Sequence, residues 1–198
     1  LAWEIWEQGG QSAPDWVVCP VGNGGLITGL WRGFQHLHAG GLIPRLPHLL
    51  AVQAEPFTPL VYAFERGDAL EDAPILQETI RADGIAISQP VRGAGALEAL
   101  QQSDGIAVAV SDAEIARAHS ALARRGVFVE PTSATVAAAL EKAGVVFGQF
   151  RPWPAQTGQY IVLPLVRIAI FQPDDHTGIG GQGRQRTQGS HLLRGTRG

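Results

Sequence analysis

Short apolar runs and segments of helical period alternate along the chain. Runs of the length typical of buried strands span residues 16–21, 49–54 and 106–110. Between the first two runs, apolar positions from Leu26 to Leu37 recur at helical spacing, and Gly40 and Gly41 end this helix. Because the runs are apolar on both faces and helices separate them, the pattern predicts an α/β fold, a parallel sheet flanked by helices.

Turn and cap residues predict the remaining elements. Ser111 and Glu114 have the spacing of a capping box, and this helix is expected to end at Arg125. An alanine-rich helix follows residues 130–134 and ends at Lys142. The other expected elements are a short helix capped by Thr58, a helix from Pro74 to about Arg81, an extended segment at 84–88, a helix that contains Leu97 and Leu100, and a last strand at 160–165.

The turn at residues 22–25, with the sequence Gly-Asn-Gly-Gly, joins the first predicted strand to the first long helix. A helix that starts directly after a strand leaves several backbone N–H groups unpaired, and the helix dipole adds partial positive charge there. Glycines allow a phosphate group to approach this backbone closely. The turn therefore indicates a phosphate cradle, although glycines also make tight turns that bind no ligand.

Composition excludes several classes of protein. The 198 residues carry a net charge of −3, which does not favour an electrostatic nucleic-acid binder. No apolar run approaches the roughly 18 residues of a membrane span, no secretory signal opens the sequence, and Cys19 is the single cysteine. The six histidines have no metal-ligand spacing, so no metal site is expected. A soluble, intracellular protein without nucleic-acid or membrane partners is the resulting expectation.

Five stretches together carry a family resemblance. They are Pro20-Val21-Gly22-Asn23-Gly24-Gly25-Leu26, Val52-Gln53-Ala54-Glu55, Pro90-Val91-Arg92-Gly93, Val110-Ser111-Asp112-Ala113-Glu114-Ile115 and Gly126-Val127-Phe128-Val129-Glu130-Pro131-Thr132-Ser133-Ala134. In this order they resemble the C-terminal portion of threonine synthase, a pyridoxal 5'-phosphate (PLP) enzyme of the tryptophan synthase β-like fold, fold type II. Each stretch is weak alone, and the threonine and serine dehydratases are related alternatives.

The resemblance implies roles for particular residues. Gly22, Asn23, Gly24 and Gly25 would hold the cofactor phosphate through main-chain N–H groups. Thr132 or Ser133 would offer a hydroxyl to the pyridine nitrogen, with Thr132 slightly favoured; ordinary helix capping is the alternative for both. Arg92 would meet the substrate phosphate or carboxylate, and Glu55 would reach the active-site cleft. A solvated surface position is the alternative for Arg92 and Glu55.

The lysine that holds the cofactor aldehyde in this class has no counterpart in the sequence. Lys142 is the only lysine, and it does not match the serine-flanked lysine motif that lies far upstream of the glycine loop in the family. The resemblance implies a lyase that converts O-phospho-L-homoserine and water to L-threonine and phosphate, acting as a cytoplasmic homodimer in threonine biosynthesis. With no catalytic lysine, we expect this chain alone to be inactive.

The ends of the sequence suggest a division of the chain. Methionine is absent, the first residue is Leu1, and residues 2–8 have the pattern of a helix end, so we expect a later part of a longer polypeptide. Residues 1–165 would form a partial PLP-binding α/β domain that lacks the N-terminal half of the enzyme. Residues 166–198, rich in glycine and arginine, would form an irregular tail, either disordered or frameshifted.

Two further function classes remain open at this stage. A dinucleotide-binding unit requires G-x-G-x-x-G, but Ile27 stands where the third glycine belongs, and Glu55 lies too far along the chain for the ribose acid. A non-catalytic α/β module would use the same fold only for association.

Overall fold

In the computed structural model, residues 1–67, 69–70 and 78–142 are described in full, together with the backbone of three short strands at 151–152, 160–162 and 168–171. The strands are β1 (Trp16–Pro20), β2 (His48–Ala54), β3 (Ile106–Val110), β4 (Arg151–Pro152), β5 (Tyr160–Val162) and β6 (Ile168–Phe171). They form one sheet in the order β3-β2-β1-β6-β5-β4.

Four neighbouring strands of the sheet are parallel. β1 pairs with β2 from Trp16↔His48 to Pro20↔Val52, and β2 pairs with β3 from Leu50↔Ile106 onward. β6 lies parallel to β1 on its other side. The strands β5 and β4 then continue the sheet in antiparallel pairs. The parallel core confirms the predicted fold class, and it brings the carboxyl ends of β1, β2 and β3 to one edge of the sheet.

Helices cover both faces of the parallel strands. The α-helices are α1 (Ala2–Gln8), α2 (Gly25–Ala39), α3 (Pro59–Arg66), α4 (Gly93–Gln102), α5 (Asp112–Ala123) and α6 (Pro131–Lys142). Apolar residues of α1, α2 and α4 pack in one core with Val17 and Cys19 of β1. Those of α5 and α6 pack in a second core with Val18 of β1. Alternate residues of the strand therefore face opposite cores, as the continuous apolar runs predicted.

Most predicted elements are confirmed, and some details differ; α6, for example, begins at Pro131, before the start that was expected after residue 134. Residues 84–88 do not form the expected extended segment, because Asp83–Ile85 form a 3₁₀ turn that buries Ile85. Glu78 and the two residues after it are not helical, so the helix expected to reach about Arg81 does not end there, and its expected start at Pro74 lies outside the described residues. α5 ends at Ala123, two residues early, before a turn with Gly126 at φ +80°.

The cap of α3 is a further difference. Thr58 is the N-cap residue, but its side chain accepts no hydrogen bond from the helix. The buried side chain of Gln53 accepts bonds from the first turn instead, through Leu60 N at 2.8 Å and Val61 N at 3.2 Å. Gln53, from the preceding strand β2, therefore provides the capping hydrogen bonds of α3.

Two strands fall in the region where the tail was expected to begin. β5 occupies the first part of the strand predicted at 160–165. β6 lies within residues 166–198, which the composition indicated to be irregular, so the strand Ile168–Phe171 departs from that expectation. The other residues of 166–198 lie outside the described part, and the domain division stays a prediction.

Candidate functional site

The glycine turn joins β1 to α2 and leaves the first helical turn without acceptors. Gly24 is the N-cap residue of α2, with φ +80°, a conformation that L side chains rarely adopt. In the described part of the chain, no acceptor pairs with the backbone N–H groups of Gly25, Leu26 and Ile27. These donors and the positive end of the helix dipole are the features that would pair with an anionic group.

Close packing also requires glycine in this turn. A Cβ atom on Gly24 would lie 2.8 Å from the carbonyl oxygen of Arg92, and one on Gly22 would lie 3.1 Å from the carbonyl oxygen of Gly84. The backbone N–H of Arg92 donates to Asn23 O at 2.9 Å. The start of α4 and the 3₁₀ turn therefore hold the glycine turn from two sides.

A cavity of about 630 Å³ opens at this edge of the sheet. Residues 22–25 line it together with Thr132, so the structure brings the predicted phosphate cradle and one of the two predicted hydroxyl residues to one space. The other lining residues are Leu1, Pro20, Val21, Leu26, Ile27, Gly84, Ile85 and Glu130.

Thr132 and Ser133 occupy the first turn of α6. Pro131 is the first helical residue, so neither of them is the N-cap, and capping does not account for them. Thr132 is buried, and a Cβ atom on Gly84 would lie 3.0 Å from its Oγ1 atom. The hydroxyl of Ser133 is buried and has no hydrogen-bond partner among the described residues. Such an unpaired buried hydroxyl is costly unless a ligand satisfies it.

Arg92 and Glu55 do not line the cavity. Arg92 is exposed and supports the glycine turn through its backbone, while its Cδ atom lies 3.8 Å from where a Cβ atom on Gly25 would be. Glu55 is exposed at the end of β2, and its backbone N–H donates to Val110 O at 2.8 Å. Both stand near the edge of the sheet that carries the cavity, without a side-chain contact that assigns them a role.

Lys142 lies at the far end of α6 from Thr132 and is not part of the cavity wall. Its Nζ atom donates to Ala109 O at 2.9 Å and forms an ion pair with Glu114 at 3.7 Å. Its contacts therefore tie α6 to β3 and α5.

Sequence reasoning missed two residues of this region. Glu130, which lines the cavity, stands directly before Pro131, and an acid at the start of a helix was the available signal. Gln53 is wholly buried next to the turn and gave no signal beyond its place in an apolar strand. Within the described ranges, no group of three His, Cys, Asp or Glu residues could hold a metal ion. No described helix has the length and apolar character needed to cross a membrane.

The family model described as "Pyridoxal-phosphate dependent enzyme" matches residues 1–153. The threonine synthase of Methanocaldococcus jannaschii is 41% identical over 143 residues, which is 72% of this chain and 35% of that protein. The threonine synthase of Mycobacterium leprae is 42% identical over 133 residues, 67% of this chain and 34% of that protein. The chain thus spans about a third of the length of these curated relatives.

Solved structures show the same architecture. A threonine deaminase from T.th. has a TM-score of 0.56 and 27% identity, over 72% of this chain and 50% of that chain. The fungal L-serine ammonia-lyase of Rhizomucor miehei has a TM-score of 0.61 over 73% of this chain and 43% of that chain; at 22% identity it supports the fold alone.

Proposed function

This chain belongs to the family of pyridoxal-phosphate-dependent enzymes, and we propose that it forms the phosphate-binding part of a threonine synthase. The family match confirms the fold type II architecture and the PLP cofactor that the five sequence stretches indicated. The proposed reaction of the whole enzyme converts O-phospho-L-homoserine and water to L-threonine and phosphate. Its support is the 41% identity to a threonine synthase, together with the geometry of the cavity.

The residues around the cavity fit this cofactor. The unpaired N–H groups of Gly25, Leu26 and Ile27 offer three donors to a phosphate, and Gly24 leaves the backbone open where a side chain would collide with Arg92 O. When bound, PLP supplies an electron sink for bond breaking at the α-carbon of an amino acid. The chain's own part is to hold the phosphate and to orient the ring. The cavity that joins the glycine turn to Thr132 is the observation that carries this proposal.

Thr132 or Ser133 is the proposed partner of the pyridine nitrogen. Thr132 is supported by its place in the cavity wall, and Ser133 by a buried hydroxyl that lacks a partner among the described residues. A neutral hydroxyl at the nitrogen leaves the ring less electron-demanding than a carboxylate would, which suits elimination and replacement at the β- and γ-carbons.

The proposal extends to the whole enzyme. Arg92 and Glu55 remain proposed substrate residues, supported by their position at the carboxyl edge of the sheet. A small amino acid is the proposed substrate, and a cytoplasmic homodimer without nucleic-acid or membrane partners is the proposed form. Because Lys142 lies outside the cavity wall, we propose that this chain alone performs no turnover.

A binding experiment tests the phosphate cradle. Pyridoxine 5'-phosphate carries the ring and phosphate without the aldehyde, so Lys142 cannot react with it. We expect isothermal titration to detect binding of this compound. Pyridoxine, which lacks the phosphate, should bind much more weakly. Gly24→Asp should abolish the binding, because it adds strain, a collision with Arg92 O and a negative charge at the cradle. Gly24→Ala separates the steric effect from the charge.

Gly29→Ala is the matched control for the glycine variants. Gly29 lies in α2, and beyond the local backbone of that helix no atom lies within 4 Å of where its Cβ atom would be. This variant should bind like the original chain and be more stable by about 0.5–1 kcal/mol, since alanine favours the helix. Equal binding of pyridoxine and its phosphate by the original chain would contradict the proposal.

A chimera tests the reaction. Residues of this chain would replace the matched segment of the Methanocaldococcus jannaschii threonine synthase, so that the relative supplies the remaining two thirds of its length. We expect the chimera to release phosphate from O-phospho-L-homoserine. Release of ammonia from L-threonine, without release of phosphate from O-phospho-L-homoserine, would favour the dehydratase alternative, to which the 27% identity with the threonine deaminase also points.

A further inference from the structure

Gln53 is a buried polar residue in the middle of an apolar strand. Its side chain is 0% exposed, between the apolar Val52 and Ala54 of β2. An amide group in such a place is stable only if its donors and acceptors are paired. Its hydrogen bonds therefore indicate why a polar residue stands there.

The amide of Gln53 joins three parts of the molecule. Its Oε1 atom accepts from Leu60 N at 2.8 Å and from Val61 N at 3.2 Å, in the first turn of α3. Its Nε2 atom donates to the carbonyl oxygen of Val21 at 3.3 Å. The N-terminus of α3 thus fixes the amide group, and the amide group holds the residue that precedes the glycine turn.

Both the N–H and the carbonyl group of Val21 form hydrogen bonds with residues of β2. Its N–H donates to Val52 O at 2.8 Å, and its carbonyl oxygen accepts from Gln53. The carbonyl of Val21 and the N–H of Gly22 belong to one planar trans peptide unit, in which they point in opposite directions. The bond from Gln53 therefore sets the direction of the Gly22 N–H, which has no acceptor in the described part of the chain.

We infer that Gln53 is a positioning residue of the phosphate cradle, which acts by orienting the Val21–Gly22 peptide unit. The inference rests on the proposed function, because the cradle is the site that the peptide unit enters. It gives a role to the stretch of residues 52–55, from which sequence reasoning selected Glu55 instead.

Gln53→Glu tests the inference without a change of size. The neutral acid keeps the acceptor for Leu60 and Val61 and can donate to Val21 O from its second oxygen. The ionised acid has no donor and would place a negative charge against that carbonyl. Burial raises the pKa of such a carboxyl group, whereas the N–H donors of Leu60 and Val61 at the helix N-terminus lower it, so the scan runs from about pH 4.5 to pH 9. We expect the variant to bind pyridoxine 5'-phosphate like the original chain at the acid end and about tenfold more weakly at the alkaline end.

Each affinity is expressed relative to the original chain at the same pH, which removes the titration of the ligand phosphate. Gln101→Glu is the matched control, because Gln101 is exposed on α4 and the substitution adds the same charge. Its affinity ratio should stay near one over the whole range. Circular dichroism at each pH reports the folded fraction, to which each affinity refers.

Gln53→Leu provides a second measurement. It removes the donor to Val21 and the acceptor for α3, so weaker phosphate binding by a folded chain is expected at every pH. The ³¹P chemical shift of bound pyridoxine 5'-phosphate should also differ from that in the original chain.

The outcomes separate the two proposals. Variants that lose thermal stability but bind normally, or that unfold at every pH, make Gln53 a structural residue and overturn the inference alone. Failure of the original chain to bind pyridoxine 5'-phosphate overturns the inference together with the proposed function.

Discussion

Gly84 and Thr132 pack against each other in the cavity wall, at a distance that is tight for an added methyl group. A Cβ atom on Gly84 would lie 3.0 Å from Thr132 Oγ1, and the backbone of Gly84 does not have the positive φ that demands glycine. We expect Gly84→Ala to lower the free energy of unfolding by about 1 kcal/mol through overpacking. Urea denaturation measures this change.

The Thr132→Ala background shows whether this contact is the cause. Thr132→Ala removes the side-chain atoms nearest to the new methyl group. In this background, Gly84→Ala should therefore lower the free energy of unfolding much less than it does in the original chain. Additive effects of the two substitutions would mean that Gly84 is required for a different reason.

At the scale of residues, the sequence predicts those site residues whose role depends only on their neighbours in the chain. Residues 22–25 were predictable because glycines in a strand-to-helix turn indicate a special backbone conformation or a close approach to the backbone. Gln53 and Glu130 were not, because their roles depend on partners that only the folded chain brings near. Arg92 stands between these cases, since the structure places its carbonyl oxygen and its Cδ atom next to the glycine turn but keeps the residue exposed and outside the cavity wall.

At the scale of elements, the N-terminus of α5 has both halves of the predicted capping box. Glu114 N donates to Ser111 Oγ at 3.3 Å, and Ser111 N donates to Glu114 Oε2 at 2.7 Å. The pKa of Glu114 is lowered, chiefly by the hydrogen bond from the Ser111 backbone and also by the Ser111 hydroxyl and the charges of Lys142 and Arg117, against the opposing effect of burial. The ionised form is therefore the one that stabilises the fold.

Glu114→Gln tests this electrostatic contribution. Because the folded-state pKa is depressed, the contribution is present above the usual value of 4.5 and is lost as the pH falls through the lower folded-state value. We expect the variant to be less stable than the original chain at pH 7 by a few tenths of a kcal/mol to about 1 kcal/mol. The difference should shrink as the pH falls below 4.5, in urea unfolding measured from pH 7 to pH 3. A difference that stays constant with pH would contradict the assignment.

Some elements were predicted from the sequence and others were not, and the difference has a physical reason. α5 carries its own start signal in Ser111 and Glu114, so its beginning was found within one residue. The 3₁₀ turn Asp83–Ile85 carries none, because its shape follows from Gly22 and Thr132, which pack against it from distant parts of the chain. Local sequence patterns do not predict segments whose conformation depends on tertiary contacts.

At the scale of the whole molecule, the parallel order of β1, β2 and β3 follows from the alternation of strands and helices. The position of β6 beside β1 does not, because about 150 residues separate their paired positions, from Trp16 to Ile168. The apolar run in β6 is only four residues long, with Arg167 directly before it and a polar, glycine-rich segment after it.

Cys19 reports on the opening of this sheet. It lies in β1, it is 0% exposed, and burial raises the pKa of its thiol to about 12. A thiol reagent at neutral pH should therefore react with it only after the core has opened, at a rate far below that of the unfolded chain in urea. Fast labelling of the folded chain would contradict the burial of β1.

Ligand binding should slow this labelling by a calculable factor. A compound that binds only the folded chain lowers the open population by 1 + [L]/Kd, which is about 100-fold at a concentration of 100 Kd. We expect pyridoxine 5'-phosphate to slow the modification of Cys19 by that factor, with Kd taken from titration, when opening and closing are fast relative to the reaction. Pyridoxine without the phosphate should give little protection, and Gly24→Asp should give none with either compound. Protection smaller than the Kd predicts would mean that Cys19 becomes reachable while the cradle is intact, and β1 would then open separately from the site that it carries.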